Sequence, residues 1–172
     1  MLEVPTRPRA QLNGLSLYGL FALSLAVAVH MGTYVGVPLD PNNPLFWGLH
    51  IAIFPLFFAF VFRIRRWQSV RKGVFGLKRS TLRWRELLQY VPAWVPPVVA
   101  LLFAYAMVNF LLSIGHLPPK GSTGSLSADQ AMYTTRAFSG HWLIFYTLPT
   151  VFFLFVPADA RPADERTEVS VQ

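Results

Sequence analysis

Four histidines are the residues of this chain whose type and placement could hold a metal or a cofactor. His30 lies near the end of a first long apolar segment, and His50 near the start of a second. His116 closes the third segment and His141 opens the fourth. Segments crossing a bilayer in alternating directions would bring all four imidazoles to one rim of a helical bundle. Three of them would lie ~5–8 Å below the end of their span, from a rise of ~1.5 Å per residue. Helices pack ~8–10 Å apart, so rings from two or three of them could share a ligand. Neutral imidazole suits haem iron, copper and zinc. His50 and His141 are the first candidates for axial ligands of a b-type haem, with His30 as the alternative. A three-histidine transition-metal site is the second arrangement. The plainer role is a hydrogen bond between helices, as Ser and Asn make in membranes. That role is favoured, because the inner half of the membrane holds no histidine for a second haem.

Other chemistry is excluded more firmly. The chain has no cysteine, which removes disulfides, thiolate nucleophiles, Cys-ligated clusters and c-type haem attachment. All eight carboxylates (Glu3, Asp40, Glu86, Asp129, Asp159, Asp164, Glu165 and Glu168) fall in loops or tails. Proton pumps and ion-coupled transporters place such groups inside the membrane. No P-loop, G-x-G-x-x-G, G-x-S-x-G or H-E-x-x-H pattern is present. Ser139-Gly140-His141 is suggestive, but on a helix Ser139 and His141 point about 200° apart. Gly140 reads instead as a place where helices approach closely.

The elements that would position these residues are legible from composition. The chain has 172 residues, 53% hydrophobic and 13% charged. Soluble domains are about 25% charged. A spanning helix needs ~20 apolar residues, and four such blocks occupy most of the sequence. The expected fold is all-α, a four-helix membrane bundle with spans at about 14–34, 45–62, 97–114 and 138–156. A polar leader 1–13 precedes it, and a disordered polar tail 157–172 follows. Arg7 and Arg9, then Leu15–Leu25 and Ala26-Val27-Ala28, match the parts of a secretory signal. The apolar run continues to Val37, which favours a retained span.

Asp40-Pro41-Asn42-Asn43-Pro44 makes a tight first turn. The second span contains Pro55 and the fourth Pro149, while Pro92, Pro96 and Pro97 should kink or break the third near its start. Tyr105, Asn109 and Ser113 recur every four residues as a polar stripe that should face neighbouring helices. In the outer loop 116–136, Ser127-Ala128-Asp129-Gln130 matches a capping box, so a helix should start at Ala128 and run into the fourth span.

The net charge is +7. Nine of the 15 basic residues (Arg63, Arg65, Arg66, Arg71, Lys72, Lys78, Arg79, Arg83 and Arg85) crowd one loop, 63–87. That loop should be cytoplasmic, with both termini, and should contact anionic headgroups rather than nucleic acid. Trp84, Leu87, Leu88 and Val91 fall at helical spacing and would lie along the interface.

The sequence thus predicts a small integral protein of a bacterial cytoplasmic membrane. Its leading role is an accessory or scaffold subunit, with membrane-protein partners or further copies of itself. A haem or metal redox protein is the alternative, and a small channel or export component the third reading.

Overall fold

The computed structural model describes residues 10–75, 87–117 and 126–157, with the side chains of 67–75 excepted. Among these there are four long helices and no strand: α1 Gly14–Gly32, α2 Pro44–Phe75, α3 Val95–Ile114 and α4 Ala128–Phe155. Each is long and apolar enough to cross a membrane, through Pro44–Arg66 in the case of α2.

Local chemistry sets most of the ends. The Asn13 side chain accepts from the Ser16 amide, while Ser16 Oγ accepts from the Asn13 amide. This reciprocal cap satisfies two donors that the first turn of α1 would otherwise orphan. Ser127 and Gln130 cap α4 in the same way, so the helix begins at Ala128 as the capping box predicts. Pro96 and Pro97 lie in the first turn of α3, which begins at Val95. A proline there forfeits no hydrogen bond, because first-turn amides have no partner within the helix. Pro55 and Pro149 do lie inside α2 and α4.

The basic loop is corrected in one respect. Its first half is helical, because α2 continues from the apolar span to Phe75 and carries Arg63, Arg65, Arg66, Arg71 and Lys72. Arg and Lys are good helix formers, so the loss of apolar character ends the span without ending the helix. Lys78, Arg79, Arg83 and Arg85 fall outside the described residues, as do Trp84 of the expected interfacial helix, the leader 1–9 and the tail beyond 157.

Helix directions follow from who touches whom. On α1 and α4, Gly19 abuts Thr150 while His30 meets Ser139, so the two run antiparallel. Along α2 and α4, Tyr146 donates to the Leu49 carbonyl and Phe60 packs on Phe152, so these are parallel. Asn109 meets the Arg136 carbonyl while Ala106 lies against Gly140, which makes α3 antiparallel to α4. The helices therefore alternate up and down, and all four histidines fall toward one end.

The bundle is not an even four-way ring. Helix α4 packs closely on each of the other three, and α1 also packs on α2. Helix α3 packs mainly on α4 and meets α1 through the Tyr105 side chain against His30. Accordingly 56% of the apolar window of α4 is buried, against 17% for α3. The core joins Phe46, Leu49, Ile53, Leu56 and Phe60 of α2 to Trp142, Leu143, Tyr146, Phe152 and Phe153 of α4. The α2 set recurs every three or four residues, one stripe of a helix. Helix α1 contributes the small residues Gly19, Ala22 and Ala26 to its buried face. Small side chains let backbones approach, which is how helices gain packing energy in lipid.

Candidate functional site

At the histidine end, polar side chains from three helices close into a hydrogen-bonded ring. His30 of α1 is buried. Its Nδ1 lies 2.7 Å from Ser139 Oγ of α4, and its Nε2 lies 2.6 Å from the Tyr105 hydroxyl of α3. The Tyr105 and Tyr34 hydroxyls are 2.7 Å apart. Tyr34 also donates to Asn109 Oδ1 at 3.3 Å. Asn109 Nδ2 donates to the Arg136 carbonyl at 2.8 Å, which returns the circuit to α4 one turn from Ser139.

Counting donors favours one proton arrangement. If Ser139 donates to His30 Nδ1, then Nε2–H donates to Tyr105, Tyr105 to Tyr34, and Tyr34 to Asn109 Oδ1. Every hydroxyl proton is then used, and the Ser139 oxygen, which still makes one bond as a donor, is the one atom of the ring left without a donor of its own. The reverse polarity, with Ser139 donating to the Arg136 carbonyl at 3.3 Å, leaves Asn109 Oδ1 without a protein donor. Buried polar groups are costly when unpaired, so the first arrangement is the stable one.

Arg136 borders the ring. Its Nη2 donates to the Thr33 carbonyl at 3.0 Å, and its Nε donates to Thr33 Oγ1 at 3.4 Å. The guanidinium lies over the Tyr34 ring at 4.2 Å, an arrangement in which the ring quadrupole attracts the cation. Thr135 beside it donates to the Leu39 carbonyl at 2.6 Å. Residues 33–39, where α1 gives way to its turn, are thus tied to the start of α4.

His50 and His141 are elsewhere, and they do share a space. Together with Ile53, Phe54, Phe57, Phe138 and Phe145 they line a half-open cavity of about 440 Å³ between α2 and α4. Trp142 Nε1 donates to His50 Nδ1 at 3.3 Å. An acceptor Nδ1 leaves the proton of a neutral imidazole on Nε2. His141 has the opposite tautomer, because its Nδ1 lies 2.9 Å from the Ala137 carbonyl and must donate to it. Its free Nε2 is an acceptor, and the ring packs edge-on against Phe110 at 4.5 Å. Bis-histidine ligation through Nε2 needs a lone pair on both rings. His141 offers one, whereas His50 in this hydrogen bond does not.

The remaining expected residues are placed plainly. His116 is exposed and stacks flat on Tyr133 at 4.1 Å. Among the described residues no three His, Asp or Glu side chains gather as a metal site. Of the polar stripe, Tyr105 and Asn109 join the ring, while Ser113 is buried with no protein partner for its Oγ. Gly140 supplies close approach, since a Cβ there would meet Asn109 Nδ2 at 2.9 Å. Arg63 turns toward α4, donating to the Val156 carbonyl at 2.9 Å and lying over Phe152 and Phe153. It thereby places a cation where the helix dipole is negative. Arg65 and Arg66 are exposed.

Sequence reasoning missed Tyr34, Thr33, Arg136 and the bonding role of Ser139. The available signal was spacing: His30 and Tyr34 are four apart, as are Tyr105 and Asn109. Two polar pairs with the same step, on helices running in one direction, can meet along a seam. No protein-family model, no curated protein and no solved structure matches this chain.

Proposed function

We propose that the chain is a non-catalytic subunit of a larger membrane assembly. The observation that carries this reading is the position of α3, which packs mainly on α4 and reaches α1 through Tyr105. Its other sides present Trp94, Leu101, Phe103, Val108, Leu111 and Leu112, each more than half exposed. A partner helix beside α3 would complete the ring. The histidines support the same view. Each has a ring nitrogen or ring face engaged by the protein, in bonds that join helices or order their ends. In this reading the basic end of α2 and both termini face the cytoplasm, where Arg65, Arg66, Arg71 and Lys72 meet anionic headgroups. The membrane is then a bacterial cytoplasmic one.

Extraction of native membranes in mild detergent, followed by native electrophoresis, tests the assembly. The chain should migrate in a species larger than the purified protein in the same detergent. Co-migration with the purified protein would refute the proposal. Orientation is accessible because the chain has no cysteine. In intact cells Asn42→Cys should react with an impermeant thiol reagent, and Arg66→Cys only after lysis.

The second reading is an electron carrier with a b-type haem on His50 and His141, which share one cavity. It requires His50 to release Trp142. A Soret band that sharpens on dithionite reduction and is lost in His141→Ala would establish it over the first.

A further inference from the structure

The cavity between α2 and α4 has a chemistry that the assembly reading does not use. Its wall is made of Ile53, Phe54, Phe57, Phe138 and Phe145, and among the described residues the only polar side chains in it are His50 and His141. Their hydrogen bonds make them opposites. Trp142 takes the lone pair of His50 Nδ1 and leaves Nε2–H as a donor. The Ala137 carbonyl takes the Nδ1 proton of His141 and leaves Nε2 as an acceptor. Both rings are held in place, His50 edge-on to Trp47, Phe54 and Phe138, and His141 against Phe110. Among the described residues no cation or carboxylate lines the space, so nothing there is built to pair a phosphate, a carboxylate or an amine. A saturated acyl chain would fill it but leave both imidazoles unanswered, and that forfeits binding energy. A flat ring bearing oxygen answers all of it, with phenyl faces to stack on and one donor and one acceptor to bond.

We infer that this cavity binds the oxygenated ring of a lipid-tailed quinone or quinol. The volume, about 440 Å³, accommodates a substituted ring and the beginning of a tail. Phe54 and Phe145 stand partly exposed on helices long and apolar enough to cross a membrane, so the tail leaves directly into lipid. The ligand's redox state selects between the two imidazoles. A quinone has only acceptor oxygens and bonds to His50. A quinol has hydroxyls that can also donate, and bonds to both.

The test is equilibrium binding of decyl-benzoquinone and of its quinol to the full chain in lipid nanodiscs made without quinone. Decylbenzene is the control that carries the tail and ring without oxygen. Both oxygenated forms should bind saturably at one per chain, and decylbenzene at least tenfold more weakly. His50→Leu should weaken both forms by roughly five- to tenfold, the worth of about one hydrogen bond. His141→Leu should weaken the quinol by a similar factor and leave the quinone within twofold. Equal binding of decylbenzene, or equal effects of His141→Leu on the two forms, would overturn the inference. If His50→Leu does not fold, the rim variants Phe54→Ala and Phe145→Ala decide the location. Unchanged affinity in both would place any binding outside this cavity.

Discussion

The seam between α1 and α4 gives the sharpest quantitative test of the packing. Gly19 is buried there, and a Cβ added to it would fall deep inside the contact distance of Thr150 Oγ1 and only 3.1 Å from Thr150 Cβ. Thr150 cannot easily swing away. Its χ1 is stiff because the side chain is β-branched, and its Oγ1 bonds the Tyr146 carbonyl one turn back. The helices must therefore separate to admit Gly19→Ala, and overpacking of this kind costs about 1–3 kcal/mol. Alanine's better helix propensity opposes this by at most ~1 kcal/mol, so destabilisation should win by about 1–2 kcal/mol. In a Thr150→Ala background the nearest remaining atom is the Cβ at 3.1 Å, which needs an adjustment of only a few tenths of an ångström. There the same substitution should be near neutral, a coupling of about 1–2 kcal/mol. Reversible unfolding in mixed SDS and detergent micelles, followed by circular dichroism, measures all four corners of the cycle. Gly14→Ala, with nothing within 4 Å of its added Cβ, is the control and should not destabilise. If Gly19→Ala and Thr150→Ala add to within about 0.5 kcal/mol, the two helices do not meet at this point.

Three further outcomes follow from named contacts. Asn109→Ala removes the bond to the Arg136 carbonyl and the acceptor for Tyr34, so it should destabilise the chain by about 1–2 kcal/mol. Limited proteolysis after Ile114 should accelerate in the same variant, since Asn109 is one of the two side chains, with Tyr105, that hydrogen-bond α3 to the rest of the bundle. Tyr146→Phe leaves the buried Leu49 carbonyl without its side-chain donor, at about 1 kcal/mol in the same unfolding assay. His30→Gln, which keeps a donor and an acceptor, should be distinctly less damaging than His30→Leu, which breaks the ring at two bonds. Equal damage from both would mean that the space filled by the imidazole matters and its nitrogens do not.

Much of the fold was readable because membranes impose length and polarity on a helix directly. Four apolar runs gave four helices, and the box at Ser127–Gln130 gave the start of α4 to the residue. The end of α2 was not readable from apolar length, since Arg63–Phe75 is rich in charge but keeps helical propensity. The central place of α4 was missed for a related reason. Hydropathy rewards contact with lipid, and the buried helix of a membrane protein has less of it. Ser139, Gly140, Thr147 and Thr150 all lie on its buried surface, and small or polar residues of this kind mark a helix surrounded by protein. Read that way, the least greasy span was the one to place in the middle.

The histidine rim was legible as an end of the molecule and illegible as a site. Topology alone brings His30, His50, His116 and His141 to one level. Which of them meet depends on rotation about each helix axis, where one residue is about 100°. Rotation sends His30 into a seam with Ser139 and Tyr105, and sends His50 and His141 to the far side of α4, around Phe138. The chemistry of each ring is then fixed by a neighbour that sequence spacing does not reveal: an indole for His50 and a backbone carbonyl for His141. These two partners turn identical side chains into a donor and an acceptor. His30, by contrast, has both nitrogens engaged and none left for a ligand. A residue of one type, at one depth, thus ends in two different roles within a few ångströms of helix rotation.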